Sequence, residues 1–356
     1  MRAFIFERTG EPSEVLSLKE IAHPAPGPGE VLVRIRFSPV HPTDLHVQRG
    51  RFGRQPELPA SPGVECVGVI EALGPGVVGL APGTRVVLVN VWGVWRDFIV
   101  SPVERVVPVP DEVSDEAAAQ AIVNPVTAWV LTMVEHRLKP GDWLTQTAAG
   151  STVGRLVLQL AHSEGFQTIN IVRRRAQMTE ITALGGNVTV CTEDEDWPAQ
   201  LMNAGGGKGP FYAIDCVAGR VGATLARSLA PGGRLLVFGA LSSHRQTDPS
   251  AFEMPVFAPR LIYGAATIQG WFLFHWLEVT PLADCLSVVQ RVLERLASGA
   301  LKLPPATIYQ PSKLTARFAK QKPQRVRANR YCAFPEDALF TSISESSSAG
   351  SRSLIA

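Results

Sequence analysis

The chain predicts an α/β protein: a doubly wound parallel sheet preceded by a smaller β-rich, barrel-like domain. Three observations carry this reading. Half of the 28 prolines lie in residues 1–110, where short β-rich runs alternate with Gly/Pro turns. Beyond about residue 115, strand-like runs alternate with helical stretches of 10–15 residues, the signature of βαβ units. The 356 residues are 46% apolar and 19% charged, enough for two packed cores.

Met1-Arg2-Ala3-Phe4-Ile5-Phe6 reads as a strand at once. The β-branched runs 31–37, 66–72, 84–91 and 98–100 follow, punctuated by Gly27-Pro28-Gly29, Gly74-Pro75-Gly76 and Ala81-Pro82-Gly83. Residues 115–137 read as a helix interrupted by Pro125. The alternation then runs strand 143–148, helix 152–164, strand 168–172, helix 176–184, strand 187–191, strand 211–217, helix 220–229 and strand 234–239. Val153, Leu156, Val157, Leu160 and Ala161 recur at helical spacing and form one buried stripe. A further amphipathic helix covers 285–298. The predicted organisation is a β-rich domain at 1–120, a dinucleotide-binding domain at 121–265, a return segment at 266–335 and a disordered, Ser-rich tail at 336–356.

Lys and Arg number 34 against 32 Asp and Glu, a formal net charge of +2. Such a balance excludes a bulk field for gripping nucleic acid or an anionic membrane. Residues 312–356 carry 8 basic and 3 acidic side chains, which reads as a solvated surface. Cys66, Cys191, Cys216, Cys285 and Cys332 form no CxxC pair, so reduced thiols in a cytoplasmic protein are expected. The N-terminus has no apolar core of the secretory kind, and no run reaches the roughly 18 apolar residues of a membrane span.

The chemistry-bearing signal is strand 143–148 followed by Ala149-Gly150-Ser151-Thr152-Val153-Gly154. A dinucleotide pyrophosphate needs small residues at the strand-to-helix turn and free N–H groups at the helix start. Gly150 permits the turn, Ser151 and Thr152 cap the helix, and Gly154 lets the helix lie close to its strand. The strict G-x-G-x-x-G is not met. After strand 168–172, where NAD-binding domains carry Asp or Glu for the ribose 2′-hydroxyl, stand Arg173, Arg174 and Arg175. Guanidinium groups pair with a 2′-phosphate that a carboxylate would repel, so NADPH is the expected cofactor. No zinc site is expected: the Cys and His residues make no convincing ligand set, and His41 and His46 lack a third partner.

Four stretches carry a resemblance. They are His41-Pro42-Thr43-Asp44 with Gly50-Arg51-Phe52-Gly53 and Pro56-Glu57-Leu58-Pro59; Asn124-Pro125-Val126-Thr127-Ala128-Trp129; Thr147 through Gly154; and Gly270-Trp271-Phe272-Leu273. In these, across residues 1–310, the chain resembles the medium-chain dehydrogenase/reductase superfamily, closest to its zinc-independent quinone oxidoreductases and trans-2-enoyl thioester reductases. The resemblance implies a Rossmann sheet beside a GroES-like barrel domain. It implies that Asn124 and Thr127 face the nicotinamide side, and that Gly150, Ser151, Thr152 and Val153 hold the pyrophosphate. Arg173, Arg174 and Arg175 would take the 2′-phosphate. Phe238, Gly239, Ala240, Trp271, Phe272 and Leu273 would line the cofactor further on, although Trp271 and Phe272 read equally well as core. The zinc ligands of metal-containing relatives would fall near His41, Val64 and Val123, two of them apolar here.

Two departures from the family pattern stand out. The enoyl reductases carry a catalytic Tyr in a Gly-x-Tyr-Gly segment where this chain has Phe52. The family's closing strand, Gly-Lys-Val-Leu-like, has no counterpart in 318–356. The expected activity is an NADPH-dependent, zinc-independent reduction of an activated C=C or a quinone by a homodimer acting on a small molecule. The alternatives are an enoyl-thioester reductase of fatty acid synthesis and a non-catalytic NADPH-binding protein with a basic tail. Catalytic candidates are Phe52, at the substituted position, and Thr43.

Hydride addition to a conjugated thioester leaves an enolate that needs a proton and a donor for its oxygen. A positioned acid contributes about 10²–10⁴-fold in rate, and Phe52 has none to offer, whereas a quinone demands less help. Steady-state kinetics should therefore show weak turnover of crotonyl thioesters and better turnover of quinones or enones. Phe52→Tyr should raise thioester turnover with little change in NADPH affinity. Fast thioester reduction by the unaltered enzyme, with no gain from the tyrosine, would mean that the proton comes from water or Thr43.

Overall fold

The computed structural model describes residues 1–51, 53–243, 246, 248–314 and 330–333. The chain divides into two compact units, Met1–Gln120 with the described residues from Pro304 onward, and Ala121–Leu303.

The first unit is β-rich. Its elements are β1 (Arg2–Ile5), α1 (Pro12–Val15), β2 (Ser17–Glu20), β3 (Glu30–Val40), α2 (Pro42–Gln48), β4 (Val67–Leu73), β5 (Arg85–Leu88), β6 (Phe98–Pro102), β7 (Val106–Pro108) and α3 (Asp115–Ala118). β3 is the organising strand: at 11 residues it pairs antiparallel with both β4 and β6. Val31, Val33 and Ile35 on β3 are fully buried, and they pack with Phe4, Ile70, Val86, Leu88 and Trp95. Trp95 meets Phe4 edge to face at 6.0 Å, and its Nε1–H donates to the Pro39 carbonyl at 3.3 Å. The apolar alternation of the strands thus has one destination.

The second unit opens with α4 (Val123–Trp129), continued by a π-helical turn over Val130–Glu135. The helix expected over 115–137 is therefore two separate helices, with Pro125 inside the first turn of α4, where its missing N–H costs nothing. Then come β8 (Trp143–Thr147), α5 (Thr152–Glu164), β9 (Gln167–Val172), α6 (Met178–Ala183), β10 (Val188–Cys191), α7 (Trp197–Asn203), β11 (Tyr212–Asp215), α8 (Gly219–Arg227), β12 (Arg234–Val237), α9 (Ala258–Gly264), β13 (Thr267–Gly270), α10 (Leu273–Val279) and α11 (Leu282–Ala297). Six strands form one all-parallel sheet in the order β10-β9-β8-β11-β12-β13, the doubly wound order in which the chain reverses direction between β8 and β11. Ile169, Ile171, Ala213, Leu225 and Leu235 are at its core.

Two boundaries differ from the sequence reading. The return was expected from residue 266, but 266–303 stay with the second unit. There β13 pairs with β12, and Arg291 and Arg295 of α11 lie over the Trp129 ring of α4. A four-residue strand reading Thr-Ile-Gln-Gly, mostly exposed, carries no apolar pattern to reveal it. Residues 318–356 were also expected to hold no closing strand. Yet β15 (Arg330–Ala333) runs antiparallel to Phe37–Val40 of β3, with β14 (Ile308–Tyr309) beside it. The open edge of a long neighbour imposes that pairing, which four residues cannot advertise. The tail 336–356 lies outside the described residues, as does most of the basic segment 313–330.

His136 caps the π-helical turn beneath the sheet. One of its ring nitrogens, Nε2, stands 3.1 Å from the Ala213 carbonyl, and the ring lies edge-on to Tyr212 at 5.3 Å. Burial drives its pKa down to about 4, with the nearby Arg234 adding to the effect, against the ordinary 6.5. The fold holds the neutral ring, which donates its Nε2–H to Ala213. The stability this contributes is complete above pH 6.5 and is lost as pH falls toward 4. Urea unfolding at pH 7 and pH 4.5 should show His136→Gln, which keeps a donor for Ala213 but takes up no proton, losing about 2 kcal/mol less than the unaltered protein over that interval. Equal losses would remove His136 as the cause.

Candidate functional site

All six strands of the second unit point the same way, so their C-terminal ends share one edge. Along that edge stand the turn 148–151 after β8, Arg173–Arg175 after β9, the segment 216–218 after β11, Phe238–Ala240 after β12 and Trp271–Leu273 after β13. In open parallel sheets ligands bind at this edge, beside the point where strand order reverses.

The turn after β8 is built differently from the expectation. Its left-handed residue is Ala148, at φ 47°, and not Gly150, whose φ is ordinary. Gly150 supplies clearance: a Cβ there would lie 2.8 Å from Nε2 of Gln177. Ser151 is the N-cap of α5, its Oγ accepting the Gly154 N–H at 3.2 Å. A Cβ on Gly154 would lie 2.5 Å from the Ala149 carbonyl oxygen, a backbone atom that cannot yield, so α5 is seated on its strand only because residue 154 has none. Thr152 and Val153 are buried in the first turn of the helix. Arg155 closes the turn from outside, donating from Nε to the Gly150 carbonyl at 3.1 Å and from Nη2 to Glu180 at 2.6 Å.

The three arginines are not equivalent. Arg175 is paired with Asp194, and its N–H donates to Glu193 at 3.0 Å. Arg173 and Arg174 are exposed, and neither guanidinium has an ion-pair partner among the described residues. No acidic residue follows β9 directly in the chain, and the carboxylates that reach this segment, Glu193 and Asp194, are engaged by Arg175.

Asp215, at the end of β11, was not singled out from the sequence, and it is wholly buried. Its Oδ1 accepts the Thr147 hydroxyl at 2.6 Å and the Val217 N–H at 2.8 Å, and its Oδ2 accepts the Ala218 N–H at 3.0 Å. Burial raises its pKa, and these three donors hold it back. Ala218 sits at φ 55°, a strained value for a residue with a Cβ, held in place by that bond.

The remaining residues belong to the same unit. Thr127 is buried on α4, its hydroxyl donating to the Val123 carbonyl at 2.6 Å, and Asn124 is half-buried one turn earlier. Phe238 and Gly239 are half-buried and Ala240 is exposed. Trp271 and Leu273 are buried, while Phe272 is exposed by 38%. The Trp271 Nε1–H has no hydrogen-bond partner among the described residues, although it is buried. An orphaned buried donor is costly unless a ligand satisfies it.

Together these features fit a dinucleotide: a capped helix start with no side chain at Gly154, two uncommitted guanidiniums and an orphaned indole N–H along one edge. Sequence reasoning missed Arg155, Gln177 and Asp215, and it placed Ala148 in the motif without its left-handed backbone. Only Asp215 left a signal, an acid ending the apolar strand Phe-Tyr-Ala-Ile-Asp.

In the first unit, Phe52 lies outside the described residues, and Thr43 is half-buried on α2. His41 is committed elsewhere than to a metal: its Nε2 stands 2.6 Å from Oε2 of Glu65, both side chains buried. Burial works against the imidazolium, but the hydrogen bond and charge of Glu65, with the charge of Asp44, outweigh it and raise its pKa. Asp44 accepts the His41 N–H at 2.6 Å, and burial lifts its carboxyl to about 6. Val64 is buried beside them, and among the described residues no group of three or more His, Cys, Asp or Glu is arranged to hold a metal ion. No helix among them is long and apolar enough to cross a membrane.

A parallel dinucleotide-type sheet following a β-rich unit defines the class of two-domain dehydrogenases and reductases. Residues 27–111 match the alcohol dehydrogenase GroES-like domain, and residues 152–287 match the zinc-binding dehydrogenase family. The mitochondrial enoyl-[acyl-carrier-protein] reductase of Bos taurus is 32% identical over 311 residues, 85% of this chain and 81% of that protein. The quinone oxidoreductase of Pseudomonas syringae superposes with a TM-score of 0.80 at 25% identity, over 93% of this chain and 99% of the other. A mycobacterial protein solved in complex with NADPH gives 0.77 at 26%, over 90% and 95%. The chain belongs to the medium-chain dehydrogenase/reductase superfamily, in the branch of the quinone oxidoreductases and enoyl thioester reductases.

Proposed function

We propose that this chain is an NADPH-dependent, zinc-independent reductase acting on a quinone or an activated C=C. The observation that carries the reading is the pair Arg173 and Arg174, whose guanidiniums have no ion-pair partner among the described residues, following β9 where no acid stands in the chain, with the capped turn at Ser151. Bound NADPH would supply the hydride. The chain's own residues would hold the cofactor: the α5 start the pyrophosphate, Arg173 and Arg174 the 2′-phosphate, and Trp271 Nε1 an acceptor further along the edge. Asn124 and Thr127 would border the nicotinamide. The mycobacterial neighbour, solved with NADPH, supports the choice of cofactor.

A second reading, reduction of enoyl thioesters, is favoured by the bovine relative, named for that activity. Phe52 weighs against it, because the hydroxyl is missing where a thioester enolate needs a donor.

We infer a homodimer built on β13. Among the described residues β13 pairs on one side only, its outward residues are exposed, and Phe257, Ile262 and Tyr263 of the preceding segment are exposed too. The buried Cys66, Cys191 and Cys216, none of them in a disulfide among the described residues, support a cytoplasmic location, which subcellular fractionation tests.

NADPH should bind more tightly than NADH, and Arg173→Ala with Arg174→Ala should erase most of the difference. Hydrogen bonds to charged groups contribute about 1.5–3 kcal/mol each, or roughly tenfold to over a hundredfold in affinity. Equal dissociation constants for the two cofactors in the unaltered protein would refute the assignment. Sedimentation velocity should report a dimer, and a single species of monomer mass at micromolar concentration would rule the β13 interface out.

A further inference from the structure

We propose that Gln177 is a specificity-determining residue for the phosphorylated ribose of the cofactor, its side-chain amide donating to the 2′-phosphate from between the turn at Gly150 and the arginine segment. The proposal rests on the NADPH reading above.

Gln177 precedes α6, and its carboxamide is oriented from one end. Oε1 accepts the Arg174 N–H at 3.1 Å, while the Gln177 N–H donates to the Arg174 carbonyl at 2.9 Å. With Oε1 engaged, the Nε2 end is directed away from that bond. It sits against Gly150, 2.8 Å from where a Cβ would be, and has no hydrogen-bond partner among the described residues. The spacing is fixed because Arg155 binds the Gly150 carbonyl and Glu180 of α6 at once. Two free N–H donors are thus held between the segment that faces a pyrophosphate and the segment that carries Arg173 and Arg174. In a dinucleotide, the adenosine ribose joins those two groups.

Capping alone does not account for the residue type. A glutamate caps an N–H as well as a glutamine does, but only the amide leaves donors on its other end. NAD-type domains present a carboxylate to the ribose, which accepts from a 2′-hydroxyl and repels a 2′-phosphate. Gln177 offers the opposite polarity.

Gln177→Glu keeps the acceptor for Arg174 and removes the donors, so its melting temperature should match that of the unaltered protein. Isothermal titration with NADPH and with NADH is the test. We expect Gln177→Glu to weaken NADPH at least tenfold and NADH less than twofold, and Gln177→Ala to weaken NADPH by a smaller factor. NADPH affinity unchanged in Gln177→Glu, or an equal loss for both cofactors, overturns the proposal while leaving the NADPH reading intact. Unaltered protein that fails to prefer NADPH overturns both.

Discussion

The second unit depends on one buried carboxylate. Asp215 binds the Thr147 hydroxyl at the end of β8 and two backbone N–H groups of the segment after β11. It thereby joins the two strands between which the chain reverses direction. The same carboxylate limits the next helix: a Cβ on Gly222 of α8 would lie 2.3 Å from Oδ2. A buried charge is tolerated only when its lone pairs are satisfied. The three donors do so, and in return they fix the strained backbone at Ala218. These bonds constrain the centre of the edge that carries the candidate site.

Around that centre the side chains divide by whether their partners lie within the chain. Arg155 and Arg175 are committed, the first to Gly150 and Glu180, the second to Asp194. Arg173, Arg174, the amide end of Gln177 and the indole N–H of Trp271 are left as donors. Paired arginines shape the backbone, and unpaired ones leave charge for a ligand. A run of three arginines in a sequence does not say which is which, because the acids that claim one of them come from residues 193 and 194, a strand further on.

The first unit has a comparable division. His41 occupies a position that resembles a zinc ligand's, yet its Nε2 is turned to Glu65, and Asp44 holds its backbone. With Val64 beside it, this part of the unit is organised by the buried contact between His41 and Glu65. Burial disfavours the imidazolium of His41, and the neighbouring Glu65 compensates.

The sequence by itself determined the fold class, the strand–helix alternation from 143 to 239 apart from α7 (Trp197–Asn203), the cap at Ser151 and the close packing at Gly154. These follow from local periodicity and from residue types with few roles. Tertiary structure decided the rest. β13 and β15, at four residues each, are too short to read alone, and each pairs with a neighbouring strand that offers an edge. The left-handed turn residue is Ala148, where local preference points to Gly150, because the surrounding sheet holds it there. Gln177 acquires a role only when α6 is folded back beside the turn 27 residues earlier in the chain. Periodicity reports which face of an element is buried; which atoms meet across elements depends on how the chain returns to itself.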